Sequence, residues 1–112
     1  MLGTLYIVAT PIGNLQDMTF RAIEVLRNSD YILAESSART SKLLSEFNIK
    51  KRIITFNKDN EKRKKNSVIQ DLSEGMNICL VSDAGTPSVS DPGFELVKHI
   101  DLSFRVIPIP GA

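Results

Sequence analysis

The sequence predicts an α/β domain built on a doubly wound, mainly parallel five-stranded sheet with helices on both faces. Three observations lead there. Five short apolar runs recur along the chain, four helix-like segments separate them, and most of the runs are continuously apolar rather than alternating. Strands covered on both faces read as unbroken apolar stretches. Regular strand–helix alternation implies right-handed crossovers and a parallel sheet. A chain of 112 residues suits a single domain of this kind, long enough to bury a core without staples.

The apolar runs are Leu5–Ala9, Tyr31–Ala34, Ile53–Phe56, Asn77–Val81 and Phe104–Ile107. After the first, Thr19 is placed to cap a helix with a buried stripe of Phe20, Ile23 and Leu26, ending near Asn28. Thr40 or Ser41 starts a second helix, with Leu43, Leu44 and Phe47 as its apolar face. A third carries Val68, Ile69 and Leu72 and stops at Gly75, a residue suited to the left-handed position just past a helix. The fourth opens with Asp91 as cap and Pro92 in the first turn, followed by Phe94, Val97 and Ile100.

Composition narrows the function. Fourteen Lys and Arg against thirteen Asp and Glu leave a net charge of +1, so a generally basic nucleic-acid-coating chain is excluded. Attraction to a polyanion would have to come from local clustering. Such a cluster exists. Lys50, Lys51, Arg52, Lys58, Lys62, Arg63, Lys64 and Lys65 fall within one short segment that holds only two acids, Asp59 and Glu61. It reads either as a solvated loop and helix start or as a surface for a phosphate backbone. The single cysteine, Cys79, excludes an internal disulfide and a multi-Cys zinc site, and its apolar neighbours make it a small buried hydrophobe. His99 is the one histidine and reads as a helix-surface residue, so no metal site is expected. The amino end lacks a basic signal region and no apolar run is long enough to span a membrane, which reads as a cytoplasmic chain.

Ligands of open parallel sheets bind beyond the carboxyl ends of the strands, and the unusual residues of this chain follow those ends. They are Thr10–Asn14, Glu35–Thr40, Ser82–Gly93 and Pro108–Ala112, all rich in small residues. No G-x-G-x-x-G or G-x-x-x-x-G-K-[ST] pattern occurs, which removes the dinucleotide fingerprint and the P-loop. No Ser/His/Asp set is available either. Loops with no nucleophile, metal site or phosphate cradle favour a small, largely neutral, nucleoside-like ligand.

At these residues the chain resembles a known family. Tyr6–Leu15 with Asp17, Thr19, Arg21, Ala22 and Glu24, the run Leu80–Pro87 closed by Asp91-Pro92-Gly93, and the turn Pro108–Ala112 are similar to the signatures of the bacterial small-subunit rRNA ribose-2′-O-methyltransferases of the tetrapyrrole-methylase superfamily. The resemblance runs the length of the chain. It implies S-adenosylmethionine as cofactor, bound between two α/β domains of an enzyme that works as a homodimer. It implies that residues 1–112 are the first of those domains and that the C-terminal domain is missing, so the isolated domain should be inactive. Carried over position by position, Ser82, Asp83, Ala84, Gly85, Thr86 and Val89 would line the cofactor, with Ile12 and Gly13 opposite. For Ile12 and Val89 ordinary loop packing is the competing reading, and for Gly85 a tight turn is compatible with the functional one. Ribosomal RNA of the small subunit would be the partner, met by the Lys50–Lys65 segment, with no role for a membrane.

The resemblance has one internal departure. Where the family carries Glu-Asp-Thr-Arg, this chain has Glu35-Ser36-Ser37-Ala38, with Arg39 one place later. Glu35 is the one carboxylate nominated for chemistry, as a base for the acceptor hydroxyl, against a structural role at the strand tip. Three functions stay open on sequence alone: an rRNA ribose methyltransferase domain, a methylase of a tetrapyrrole or other small acceptor, and a non-catalytic nucleoside- or partner-binding module.

Overall fold

In the computed structural model, residues 2–10, 18–82, 93–100 and 103–109 are described. Five strands form one all-parallel sheet: β1 (Thr4–Ala9), β2 (Tyr31–Ala34), β3 (Ile53–Thr55), β4 (Ile78–Ser82) and β5 (Arg105–Ile109). Between them run α1 (Phe20–Asn28), α2 (Ser37–Glu46), α3 (Glu61–Ser73) and α4 (Phe94–Ile100). The spatial order is β3-β2-β4-β1-β5. Leaving β1, the chain steps towards one edge through α1 and α2. From β3 it steps back through α3 and α4, so right-handed crossovers put the two helix pairs on opposite faces.

Each face has its own core. On one, Leu5, Leu33, Phe56, Ile78 and Leu80 pack under Val68 and Leu72 of α3 and Leu96 and Ile100 of α4. On the other, Val8, Ile32, Cys79 and Ile109 meet Ala22, Val25 and Leu26 of α1 and Leu44 of α2. Successive strand residues point to opposite faces, so an apolar run with no polar alternate is what this double burial requires. Cys79 is buried as its neighbours foretold, and the loss of water pushes its thiol up to about 12.

The helix ends show why the chain turns where it does. The Thr19 hydroxyl accepts the Ala22 N–H and caps α1. Gly75, at φ 95°, sits just past α3. There the Gly75 N–H reaches the Leu72 carbonyl and the Met76 N–H the Asp71 carbonyl, the paired bonds of a Schellman motif. Asn48, at φ 55°, ends α2 the same way, with the Asn48 and Ile49 N–H groups donating to Ser45 and Leu44.

Three sequence expectations need correction. Phe20 does not belong to the buried stripe of α1: it is 83% exposed, while Ala22, Val25 and Leu26 face the sheet. At 3.6 residues per turn, Phe20 stands on the side opposite those three. Helix α2 begins at Ser37 rather than at Thr40 or Ser41, because the Ser36 hydroxyl accepts the Arg39 N–H as N-cap. Strand β5 starts at Arg105, one residue later than Phe104, and runs through Pro108 to Ile109. Proline is tolerated there because β5 is an edge strand. The proposed Asp91–Pro92 cap lies outside the described residues. Within them, α4 takes its first helical bond from the Val97 N–H to the Gly93 carbonyl.

The amino edge of the sheet is stitched by side chains. Asn77 Oδ1 accepts the Thr4 N–H at 3.0 Å, and the Asn77 N–H donates to Asp30 at 2.8 Å. The Asp30 N–H returns a bond to the Asn77 carbonyl, so two residues tie the starts of β1, β2 and β4. Nearby, the Tyr31 hydroxyl donates to Asp71 at 2.6 Å. Burial, and then that carboxylate, drive the phenol far above its usual range. Gly3 belongs to the same edge, where a Cβ would lie 1.7 Å from the Met76 carbonyl oxygen. No helix among the described residues is long and apolar enough to cross a membrane.

Candidate functional site

The strand order fixes where a ligand fits. β1 and β4 are neighbours, yet β1 continues to α1 on one face and β4 to α4 on the other. The carboxyl edge between them is therefore the switch point at which open α/β sheets bind ligands. The segments the sequence singled out after Thr10 and Ser82 lie outside the described residues. Ala9 pairs in register with Ser82, and the Thr10 N–H donates to the Ser82 carbonyl at 3.1 Å.

Of the residues expected to line a cofactor, Ser82 closes β4 at this edge and is half-buried. Ile12, Gly13, Asp83, Ala84, Gly85, Thr86 and Val89 lie outside the described residues. Glu35 follows β2, whose neighbour is β4, and is exposed. The β2–β4 register ends at Leu33↔Leu80, and Glu35 follows just past the carboxyl end of β2. The structure thus brings Glu35 and Ser82 to one edge.

The departure at Ser36 and Ser37 has a structural account. Ser36 caps α2, a position that aspartate and serine fill about equally well. The hydroxyls of Ser37 and Thr55 are in direct contact and tie the first turn of α2 to the end of β3. Exchanging an acid for Ser36 therefore keeps the helix start, while Ala38 offers no charge where the family pattern has a guanidinium.

Two features escaped the sequence reading. The basic segment is contiguous in sequence but divided in space. Lys50, Lys51 and Arg52 precede β3 at the amino edge, whereas Lys58 and Lys62–Lys65 follow it at the carboxyl edge. Between them, Asn57 Oδ1 accepts the Asp59 and Asn60 N–H groups, Asn60 Oδ1 accepts the Asn57 N–H, and Asn60 Nδ2 donates to the Thr55 carbonyl. This side-chain turn delivers the chain into α3. The second feature is Glu61, the first residue of α3, only 5% exposed. Its Oε2 accepts the buried Gly93 N–H at 2.9 Å, so it pins the backbone where the loop after Ser82 enters α4. Only the Asp91-Pro92-Gly93 turn hinted at a constraint there, and nothing local named its partner. Among the described residues no cluster of His, Cys, Asp or Glu is placed to hold a metal ion.

The fold defines a doubly wound α/β domain with its switch point between β1 and β4. The profile of the Tetrapyrrole (Corrin/Porphyrin) Methylases matches residues 4–112, and the chain belongs to that family. Among curated relatives, it is 53% identical over 112 residues to the ribosomal RNA small subunit methyltransferase I of Buchnera aphidicola, covering 99% of this chain and 40% of the relative. It is 52% identical over 111 residues to the protein of the same name from Halalkalibacterium halodurans, covering 98% and 38%. The chain thus spans about two fifths of the length of the curated relatives it matches. Solved structures share the fold. A putative cobalamin synthesis related protein from Corynebacterium diphtheriae superposes with TM-score 0.74 at 19% identity, over 99% of this chain and 54% of its own. The uroporphyrin-III-C-methyltransferase of Thermus thermophilus gives 0.64 at 21%, over 96% and 48%.

Proposed function

We propose that this chain is the N-terminal domain of an S-adenosylmethionine-dependent methyltransferase that modifies a cytidine ribose 2′-hydroxyl in small-subunit ribosomal RNA. The observation that carries this reading is the match along nearly the whole chain to relatives named as rRNA methyltransferases, at about half identity. The switch point between β1 and β4 supports the cofactor, since small residues at the ends of those strands suit a folded nucleoside. The same match favours RNA over a tetrapyrrole or other small acceptor, because the likeness to the uroporphyrin enzyme is one of fold.

S-adenosylmethionine, when bound, supplies a methyl group on a sulfonium, open to in-line displacement. What the protein contributes is alignment of the acceptor and care of its proton. The loops after Thr10 and Ser82, with Ile12, Gly13, Asp83, Ala84, Gly85, Thr86 and Val89, are the segments we assign to the cofactor. To Glu35, exposed at the same edge, we assign acceptance of the proton of the attacking hydroxyl. The greater length of the relatives supports a cleft completed by a second domain, and we extend the reading to a cytoplasmic homodimer as the family resemblance implies.

Calorimetric titration of S-adenosylmethionine into this chain, beside a version extended by the C-terminal part of a relative, tests the reading. Binding by the extended protein, with methyl transfer to small-subunit rRNA, is the expected result. Silence from both would remove the cofactor assignment. In the extended enzyme, Glu35→Gln should lower turnover with little change in cofactor affinity, and unchanged turnover would remove Glu35 from the chemistry.

A further inference from the structure

The division of the basic segment by β3 separates two groups of cations that the sequence runs together. One group, Lys50–Arg52, lies at the amino edge, away from the switch point. The other crowns the first turns of α3. The inward stripe of that helix is Glu61, Val68 and Leu72. Lys62 and Arg63 lie on the exposed side, while Lys64 and Lys65 flank the stripe and are half-buried. Long basic stems cover apolar surface in this way while their heads reach water.

Three features make this turn unlike an ordinary solvated face. First, of the two acids in the segment, Glu61 is withdrawn into the interior, where it holds the Gly93 N–H rather than an ion pair with the cations outside. Among the described residues, Lys62, Arg63, Lys64 and Lys65 have no carboxylate partner. Second, four consecutive cations at the start of a helix oppose the positive end of its dipole and repel one another. Such an arrangement weakens the isolated domain and is relieved by an anion. Third, the Glu61–Gly93 bond fastens this turn beside the start of α4, the helix that follows β4. The next exposed positions, Asn66, Ser67 and Gln70, are uncharged hydrogen-bonding residues.

We propose that the first turns of α3, through Lys62, Arg63, Lys64 and Lys65, hold the sugar–phosphate backbone of the RNA acceptor at the carboxyl edge of the sheet, and that Lys50, Lys51 and Arg52 take no part. The assignment rests on the methyltransferase reading above. It places the polyanion next to the chemistry rather than spreading it over the molecule.

The test compares two charge-neutralised variants of the 112-residue chain, K62Q/R63Q and K51Q/R52Q, in binding single-stranded poly(U) over a salt series. Each phosphate contact on a single strand contributes about 0.7 to the slope of log K against log salt. K62Q/R63Q should therefore reduce that slope by about 1.4 and weaken binding about 25-fold at 0.1 M salt. K51Q/R52Q should stay within about two-fold of the parent. Equal losses in the two variants would mean that net charge alone drives binding and would overturn the surface. Undetectable or salt-insensitive poly(U) binding would overturn it too, and would turn attention to an acidic protein partner. A parallel S-adenosylmethionine titration of the extended protein keeps the two readings apart. Cofactor binding with no effect of K62Q/R63Q removes the surface and leaves the methyltransferase standing. No cofactor binding with the RNA effect intact removes the methyltransferase and keeps the RNA surface.

Discussion

Glu61 offers the sharpest test of how α3 is joined to α4. Replacing it by alanine removes the acceptor of the Gly93 N–H, in a place where both residues are buried. A hydrogen bond to a charged group contributes about 1.5–3 kcal/mol, and an orphaned buried donor costs a similar amount. Removing the carboxylate also removes its own desolvation cost, so the expected net loss is about 2 kcal/mol. Unfolding entropy is about 2.1 cal/mol/K per residue, or about 0.24 kcal/mol/K for this chain, which converts the loss to about 8 °C in Tm. Glu61→Gln keeps an oxygen able to accept the same N–H and should recover more than half of the difference. Thermal melts followed by circular dichroism, with urea titrations for the free energies, read both variants. Equal losses for Ala and Gln, or a loss for Ala below about 0.5 kcal/mol, would refute the claim that this one bond fastens the helices.

Other predictions bear on the core, the amino edge and pH. Leu26→Ala should cost about 2–5 kcal/mol in urea unfolding, and Phe20→Ala less than about 0.5; the reverse order would invert the orientation of α1. Gly3→Ala should fail to fold or lose more than about 2 kcal/mol, because its methyl meets backbone rather than a movable side chain; wild-type stability on urea titration would show that the edge yields. The Cys79 thiol is raised in the folded state from 9.0 to about 12, so its contribution is complete below pH 9 and fades as pH rises towards 12. Between pH 9 and 10.5 that is a loss of about 2 kcal/mol, which Cys79→Ala should flatten in urea titrations across that range; an unchanged slope would exclude Cys79 as its source.

What could be read from the sequence was what local chemistry decides. Thr19 and Gly75 marked helix ends because a hydroxyl before a helix and a glycine after it each satisfy backbone groups within a few residues. The burial of Cys79 and the doubly wound sheet followed from unbroken apolar runs. Errors arose where tertiary contacts chose between locally equal options. Ser36, Ser37, Thr40 and Ser41 all suit a helix start, and the contact of Ser37 with Thr55 favours the earlier one. Along α1, Phe20, Ile23 and Leu26 form a plausible stripe, but Ala22 and Val25 make a better one once the sheet lies beneath them. The carboxyl strand ends were legible as candidates because open parallel sheets bind ligands there. The bond from Glu61 to Gly93, 32 residues apart, was not, and neither was the division of the basic segment by a strand of three residues.

The two strands that bound the sheet have a consequence for how this domain meets other molecules. β3 is three residues long, too short to template a long ladder, and β5 carries Pro108, which has no N–H to offer a neighbour. Growth of the sheet by a strand from another molecule is therefore disfavoured on both sides. Self-association would have to use helix faces or the loops at the carboxyl edge. An assembly built on those surfaces would leave the five-strand order, and the strand ends that carry Ser82 and Glu35, unaltered.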